Sequence, residues 1–146
     1  MINKILIGFD GSKPAHAAFD FALDLSGKFG SELFVLAVAR PPDFGEEVET
    51  GAVIEQARRH FEHVLRPLKA RAGDLKAHFE VRIGHPAEAI VLYAEDHGID
   101  HIVVGHRGRG VFDRWLLGSV ARQVIAYAPC AVTVVRPTPD SARPAR

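Results

Sequence analysis

Short apolar runs alternate with stretches of helical period along the chain. Lys4–Phe9 (KILIGF), Glu32–Ala39 (ELFVLAVA), His101–Gly105 (HIVVG) and Ala131–Val135 (AVTVV) are nearly continuous in apolar residues. That is the pattern of strands covered on both faces. A fifth run, Lys76–Ile83 (KAHFEVRI), alternates instead, with Ala77, Phe79, Val81 and Ile83 on one side. Such alternation marks a half-exposed strand, whose expected place is a sheet edge.

Between these runs the apolar period lengthens to about 3.6. In the first helical stretch, Ala17, Ala18, Phe21, Ala22, Leu25 and Phe29 are assigned to the buried face, with His16, Asp20, Asp24 and Lys28 opposite. Ser12 is its cap, Pro14 sits in its opening turn, and Gly27 or Gly30 marks its stop. The second stretch gathers Ile54, Ala57, Phe61, Val64, Leu65, Leu68 and Ala72 on one face. Pro67 within it predicts a kink or a break after Arg66. The third opens at Pro86, with Glu88 soon after, and ends at Gly98. The fourth turns Val120, Val124, Ile125 and Ala128 inward and closes at Pro129.

Strict alternation of strands and helices predicts an α/β protein: a parallel sheet with helices on both faces, joined by right-handed crossovers. Arg40–Gly51 reads as a long acidic connection and a mobile flap. A single domain is expected over residues 1–137, with a disordered tail over 138–146.

Composition narrows the function classes. A chain of 146 residues is large enough to bury a core without disulfides or a structural metal. The 18 basic and 18 acidic residues cancel, which removes the cationic surplus of a dedicated nucleic-acid binder. The one cysteine, Cys130, forms no internal disulfide and suits a reducing compartment. The opening MINKILIGFD is too short for a signal peptide, and no apolar stretch approaches the roughly 20 residues that span a bilayer. A cytoplasmic protein without nucleic-acid or membrane partners is the expectation.

In open α/β sheets, ligands sit beyond the carboxyl ends of strands where the strand order reverses. Two features fall at strand ends: Asp10-Gly11-Ser12, and the stretch VVGHRGRGVFDRWLLGS from Val103 to Ser119. Gly8, Gly11, Ser12 and Lys13 lack the Walker spacing, and Gly108-Arg109-Gly110 lacks the third glycine of the dinucleotide fingerprint. Two readings of the glycine-rich stretch stay open: a tight turn with a helix cap, or a cradle for phosphate. His60 and His63 lie three apart on a helix without a third metal ligand in register, so they read as a solvated face, and His97 and His101 read the same way. Cys130 reads as a small buried apolar residue. No GxSxG elbow is present, and neither catalytic nor metal-binding residues are assigned.

One spacing does match a known pattern: Gly105, two residues, Gly108, nine residues, then Gly118-Ser119. With GFDGS, GHPAEAI and LLGSVARQVI…APCAVTVVR, it resembles the nucleotide-binding branch of the universal stress protein family, over about Asn3 to Arg136. The resemblance implies a three-layer, five-stranded open parallel sheet in the order 3-2-1-4-5, of the adenine nucleotide α-hydrolase-like class. It implies ATP or AMP as ligand, with Mg²⁺ beside the phosphates as an option that Asp10 leaves open. Asp10, with Phe9 beside it, resembles the position at the adenine and ribose edge, and Val38 the one whose backbone meets adenine. Gly105 and Gly108 resemble the glycines that let the main chain approach ribose and phosphates. Gly118, Ser119 and Val120 resemble the helix start that holds the outer phosphates.

Arg107 is a candidate to steer phosphate, and Arg109 and Arg114 are weaker ones. His106 occupies a position where the family often has a small residue, and it is expected to crowd the ribose. The resemblance further implies a homodimer through Ala131–Arg136, a nucleotide-dependent role in a stress response with an unknown protein partner, and at most slow ATP hydrolysis. Two alternatives stand beside it. One is a dimeric interaction module of the same fold without nucleotide. The other is an enzyme cleaving ATP between the α and β phosphates, against which FDGSKPAH replaces the SGGxDS-type loop.

Overall fold

A computed structural model describes residues 2–40, 50–108 and 116–138. Five strands and four helices alternate: β1 (Lys4–Gly8), α1 (Lys13–Phe29), β2 (Glu32–Ala39), α2 (Thr50–Ala72), β3 (Ala77–Ile83), α3 (Pro86–His97), β4 (His101–Gly105), α4 (Ser119–Tyr127) and β5 (Ala131–Val135). They form one parallel sheet in the order β3-β2-β1-β4-β5. The alternating strand β3 takes an edge, as its pattern predicts.

The first strand in the chain is the central one. Ile5 lies opposite both Leu33 of β2 and His101 of β4, and Ile5, Leu6 and Ile7 are wholly buried. Alternate residues of β1 feed two cores. Ile5 and Ile7 pack with Phe19 of α1 and with Leu65 and Leu68 of α2. Leu6 packs with Ile90 and Tyr93 of α3 and with Ala121 and Val124 of α4. At the amino end of the sheet, Asp100 Oδ2 accepts the Asn3 and Lys4 N–H groups at 2.9 and 3.1 Å, tying the start of β1 to the start of β4.

Three local expectations are corrected. The buried face of α1 carries Ala15, Ala18, Phe19, Ala22 and Ser26, while Phe21 and Phe29 are 40% and 55% exposed. Small residues on this face bring the helix close to the sheet, which leaves room for one phenylalanine. The Ser26 hydroxyl satisfies itself by donating to the Ser31 carbonyl at 2.6 Å. α2 buries Leu65, Leu68 and Ala72 and half-buries Ile54, Ala57, Phe61 and Val64, and it continues through Pro67 to Ala72 without a break. Leu65 and Leu68, each 1% exposed, anchor the helix on both sides of the proline, and packing outweighs the local cost. In α4, Ala121 is buried and Ile125 is 49% exposed, a rotation of the face by about one residue. The expected flap falls largely on residues 41–49 and the expected tail on 139–146, which lie outside the described residues.

Candidate functional site

β1 pairs with β2 on one side and β4 on the other, so consecutive connections leave its carboxyl end in opposite directions. A cleft of about 400 Å³ opens there. The structure brings Phe9, Asp10, Val38, Gly105, Arg107, Gly108, Ser119 and Val120 to its lining, eight of the nine positions the sequence assigns.

Three helices begin at this cleft, and α1 and α4 differ most in how their first turns are closed. At α1, Asp10 Oδ1 accepts the Ser12 N–H at 2.9 Å, across Gly11 with φ +83°. Ser12 Oγ then accepts the Ala15 N–H at 3.2 Å. The first turn of α1 is thus closed by its own side chains. At α4 the capping position is Gly118, which has no side chain to offer. The N–H groups of Ser119, Val120 and Ala121 have no carbonyl four residues earlier within the helix, and all three residues line the cleft. The cleft wall therefore presents open donors and the positive end of a helix dipole.

Arg107 adds a full charge beside them. It lines the cleft, and its Nη1 is buried without a hydrogen-bond partner among the described residues. Arg40 also reaches the cleft, and Asp10 is the single carboxylate among the described lining residues. The remaining wall is apolar, with Leu36, Val38, Phe61, Ile90 and Val104. An apolar pocket with a cationic wall suits a ligand that joins a flat apolar body to an anionic group.

A protein contact stands at each of the three motif glycines. A Cβ at Gly105 would lie 2.7 Å from Pro14 Cβ, and one at Gly108 would lie 2.6 Å from Asp10 Oδ2. A Cβ at Gly118 would lie 2.8 Å from Arg107 Cα. Gly105 and Gly118 face backbone atoms that cannot give way, whereas Gly108 faces the movable tip of the Asp10 side chain. Gly118 is buried and does not line the cleft, so its space is occupied by the Arg107 backbone rather than kept for a ligand. Its N–H donates to the His106 carbonyl at 2.8 Å and latches α4 onto the turn after β4.

His106 does not crowd the cleft. It is 4% exposed and absent from the lining, because its N–H extends the β4–β5 ladder by donating to the Val135 carbonyl at 2.9 Å. Burial lowers the imidazole pKa from its ordinary 6.5, Arg136 and Arg107 add to the effect, and the Val135 carbonyl opposes it. Burial and the nearby Asp100 charge raise the pKa of the Cys130 thiol, which keeps it protonated.

Ser12, Ala15, Arg40, His60 and Phe61 also line the cleft, although the sequence patterns do not assign them to it. Ser12 and Ala15 follow from the turn after β1, whereas His60 and Phe61 arrive because α2 lies beside β2 and β3, for which the sequence carries no local signal. Arg109, Gly110 and Arg114 lie outside the described residues. Among the described residues, no group of three or more His, Cys, Asp or Glu side chains gathers to hold a metal ion, and no helix is long and apolar enough to cross a membrane.

Comparison with known proteins places these features in a wider set. A model of the universal stress protein family matches residues 1–136. A universal stress protein of Methanocaldococcus jannaschii is 33% identical over 141 residues, covering 93% of this chain and 83% of that protein. Universal stress protein UspA from Lactobacillus plantarum superposes with a TM-score of 0.85 at 26% identity, over 92% of this chain and 97% of that one. A universal stress protein family protein from Arabidopsis thaliana, solved with AMP bound, shares the fold with a TM-score of 0.62 at 16% identity, over 97% and 95% of the two chains.

Proposed function

The chain belongs to the universal stress protein family, and from that premise we propose that it binds an adenine nucleotide, ATP or AMP, in the cleft between β1 and β4. The observation that carries this reading is the buried Nη1 of Arg107, without a hydrogen-bond partner among the described residues, beside the uncapped first turn of α4. A buried cationic donor without an acceptor is costly, and an anion at that place satisfies it. AMP bound in the Arabidopsis protein of the same fold supports the choice of ligand.

In this reading the N–H groups of Ser119 and Val120, with Arg107, hold the phosphates. Gly105 and Gly108 let the main chain approach the ribose and phosphates, and Gly118 fixes Arg107 against α4 by packing. Phe9, Val38 and their apolar neighbours receive the base, and Asp10 takes the ribose and adenine edge. Hydrogen bonds to charged groups contribute about 1.5–3 kcal/mol each, so a few supply much of the roughly 8 kcal/mol that micromolar binding requires. Asp10 is the one carboxylate available to a Mg²⁺ ion accompanying the phosphates. No residue of the cleft is assigned to catalysis, and hydrolysis is at most slow. β5 is an edge strand whose five residues include neither proline nor charge, so it suits pairing with a second copy through Ala131–Arg136. The protein acts as a cytoplasmic, nucleotide-dependent regulator in a stress response.

The test is acid extraction of the purified protein for co-purified nucleotide, followed by calorimetric titration of ATP and AMP into the stripped protein. Binding in the micromolar range that Arg107→Gln weakens supports the reading; silence toward both nucleotides overturns it. A second reading, a dimeric interaction module without nucleotide, is favoured by Gly105 and Gly118, which protein contacts already require. A chain that sediments as a dimer and binds neither nucleotide at millimolar concentration decides for it.

A further inference from the structure

Behind the cradle lies a titratable residue that none of these roles uses. His106 is 4% exposed, and its Nδ1 is buried with no hydrogen-bond partner among the described residues. Its backbone is committed on both sides: the N–H donates to Val135 at 2.9 Å, and the carbonyl accepts from Gly118 at 2.8 Å. The imidazole is therefore held between the end of β5 and the start of α4. It is one peptide away from Arg107, whose Nη1 likewise has no partner among the described residues.

Among the described residues, the side-chain charges acting on this ring are positive, and the Val135 carbonyl opposes them. Arg107 acts from its own turn and Arg136 from the segment after β5, and no acidic side chain among the described residues acts on it. The first turn of α4 contributes the positive end of its dipole. Adding a proton at Nδ1 breaks no hydrogen bond among the described residues, so what keeps the ring neutral is burial together with the Arg136 and Arg107 charges, which outweigh the Val135 carbonyl.

We infer that anion binding in the cleft is coupled to proton uptake by His106. An anion on Arg107 and the α4 first turn offsets the field that holds the imidazole neutral, and a proton moves from solvent to the ring. By reciprocity, the imidazolium strengthens the hold on the anion. His106 is thus a positioning residue in two senses, since its backbone fixes the cradle and its ring tunes the affinity with pH. The inference rests on the reading of the cleft as a phosphate site.

The experiment uses the full chain, with AMP and ATP as probes. Calorimetric titration at pH 6.0 and 7.5, in buffers of different ionisation enthalpy, counts the protons taken up per ligand for wild type and for His106→Asn. The phosphate of the probe titrates in both proteins and cancels in the difference. In wild type, the His106 ring signal is followed by NMR against pH with and without ligand, which needs no variant to fold. The expected result is a fraction of a proton taken up that His106→Asn loses, and a His106 midpoint that rises with ligand. Each unit of that rise gives up to about tenfold tighter binding at low pH relative to the variant. Binding with equal uptake in both proteins, or an unmoved His106 midpoint, overturns the inference and leaves the nucleotide reading intact. Failure of both probes to bind overturns both.

Discussion

Two of the helices that start at this cleft end their chains of backbone donors in opposite ways. α1 closes its first turn with Ser12 and braces that turn with Asp10. α4 begins at a glycine and leaves its first-turn donors open at the cleft, alongside Arg107 Nη1, which has no hydrogen-bond partner among the described residues. A closed turn stabilises the fold and leaves its capped donor unavailable to an anion. An open one forgoes a cap worth about 1 kcal/mol and keeps an anion site ready. The difference assigns helix capping to one helix start and anion recognition to the other.

Substitutions that break this contrast are ordered by the size of their effect. Gly118→Val drives a side chain into the Arg107 backbone. It is expected to cost about 3 kcal/mol in denaturant unfolding and to abolish nucleotide binding. Arg107→Gln leaves unfolding nearly unchanged and weakens ATP by roughly 10- to 100-fold, the loss of one charge-assisted interaction of about 1.5–3 kcal/mol; calorimetry reads it.

On the closed side, Ser12→Ala removes the α1 cap and lowers stability by about 1 kcal/mol, while affinity stays within about twofold. Ser119→Asp sharpens the contrast by giving opposite signs: a carboxylate in the first turn of α4 stabilises the helix by about 0.3–1 kcal/mol and repels the phosphates, so melting temperature rises as affinity falls. The smallest effect is the pH dependence from His106, whose folded pKa lies below its ordinary 6.5. The unfolded chain therefore binds the proton more readily. Stability from this residue is complete above about pH 6.5 and is lost as pH falls through the folded value, and His106→Asn removes that part of the slope.

Much of this arrangement is legible in residue patterns. Continuous apolar runs identify the strands, and the alternation in Lys76–Ile83 identifies an edge. The glycine spacing locates the turn after β4, because backbone crowding leaves a sequence signature whichever partner causes it. What crowds each glycine is not legible: Pro14, Asp10 and Arg107 come into contact only when the sheet is assembled. His60 and Phe61 enter the cleft for the same reason, through the placement of α2. Periodicity misjudges the α1 face because it weights large aromatics above alanines, whereas close approach to a sheet favours the small residues. His106 can be placed at the motif but not oriented, since its direction follows from the β4–β5 register.

The strand order also has a consequence during synthesis. β1 is made first but receives its second neighbour only when β4 emerges, with the Asn3–Asp100 tie spanning 97 residues of chain. At roughly 5–20 residues per second, one edge of the central strand stands unpaired for about 5–20 s on the ribosome. The centre of the finished sheet is thus its temporary border. Nascent chains crowded on one message present that apolar border to each other, and the completion of β4 is the step that withdraws it.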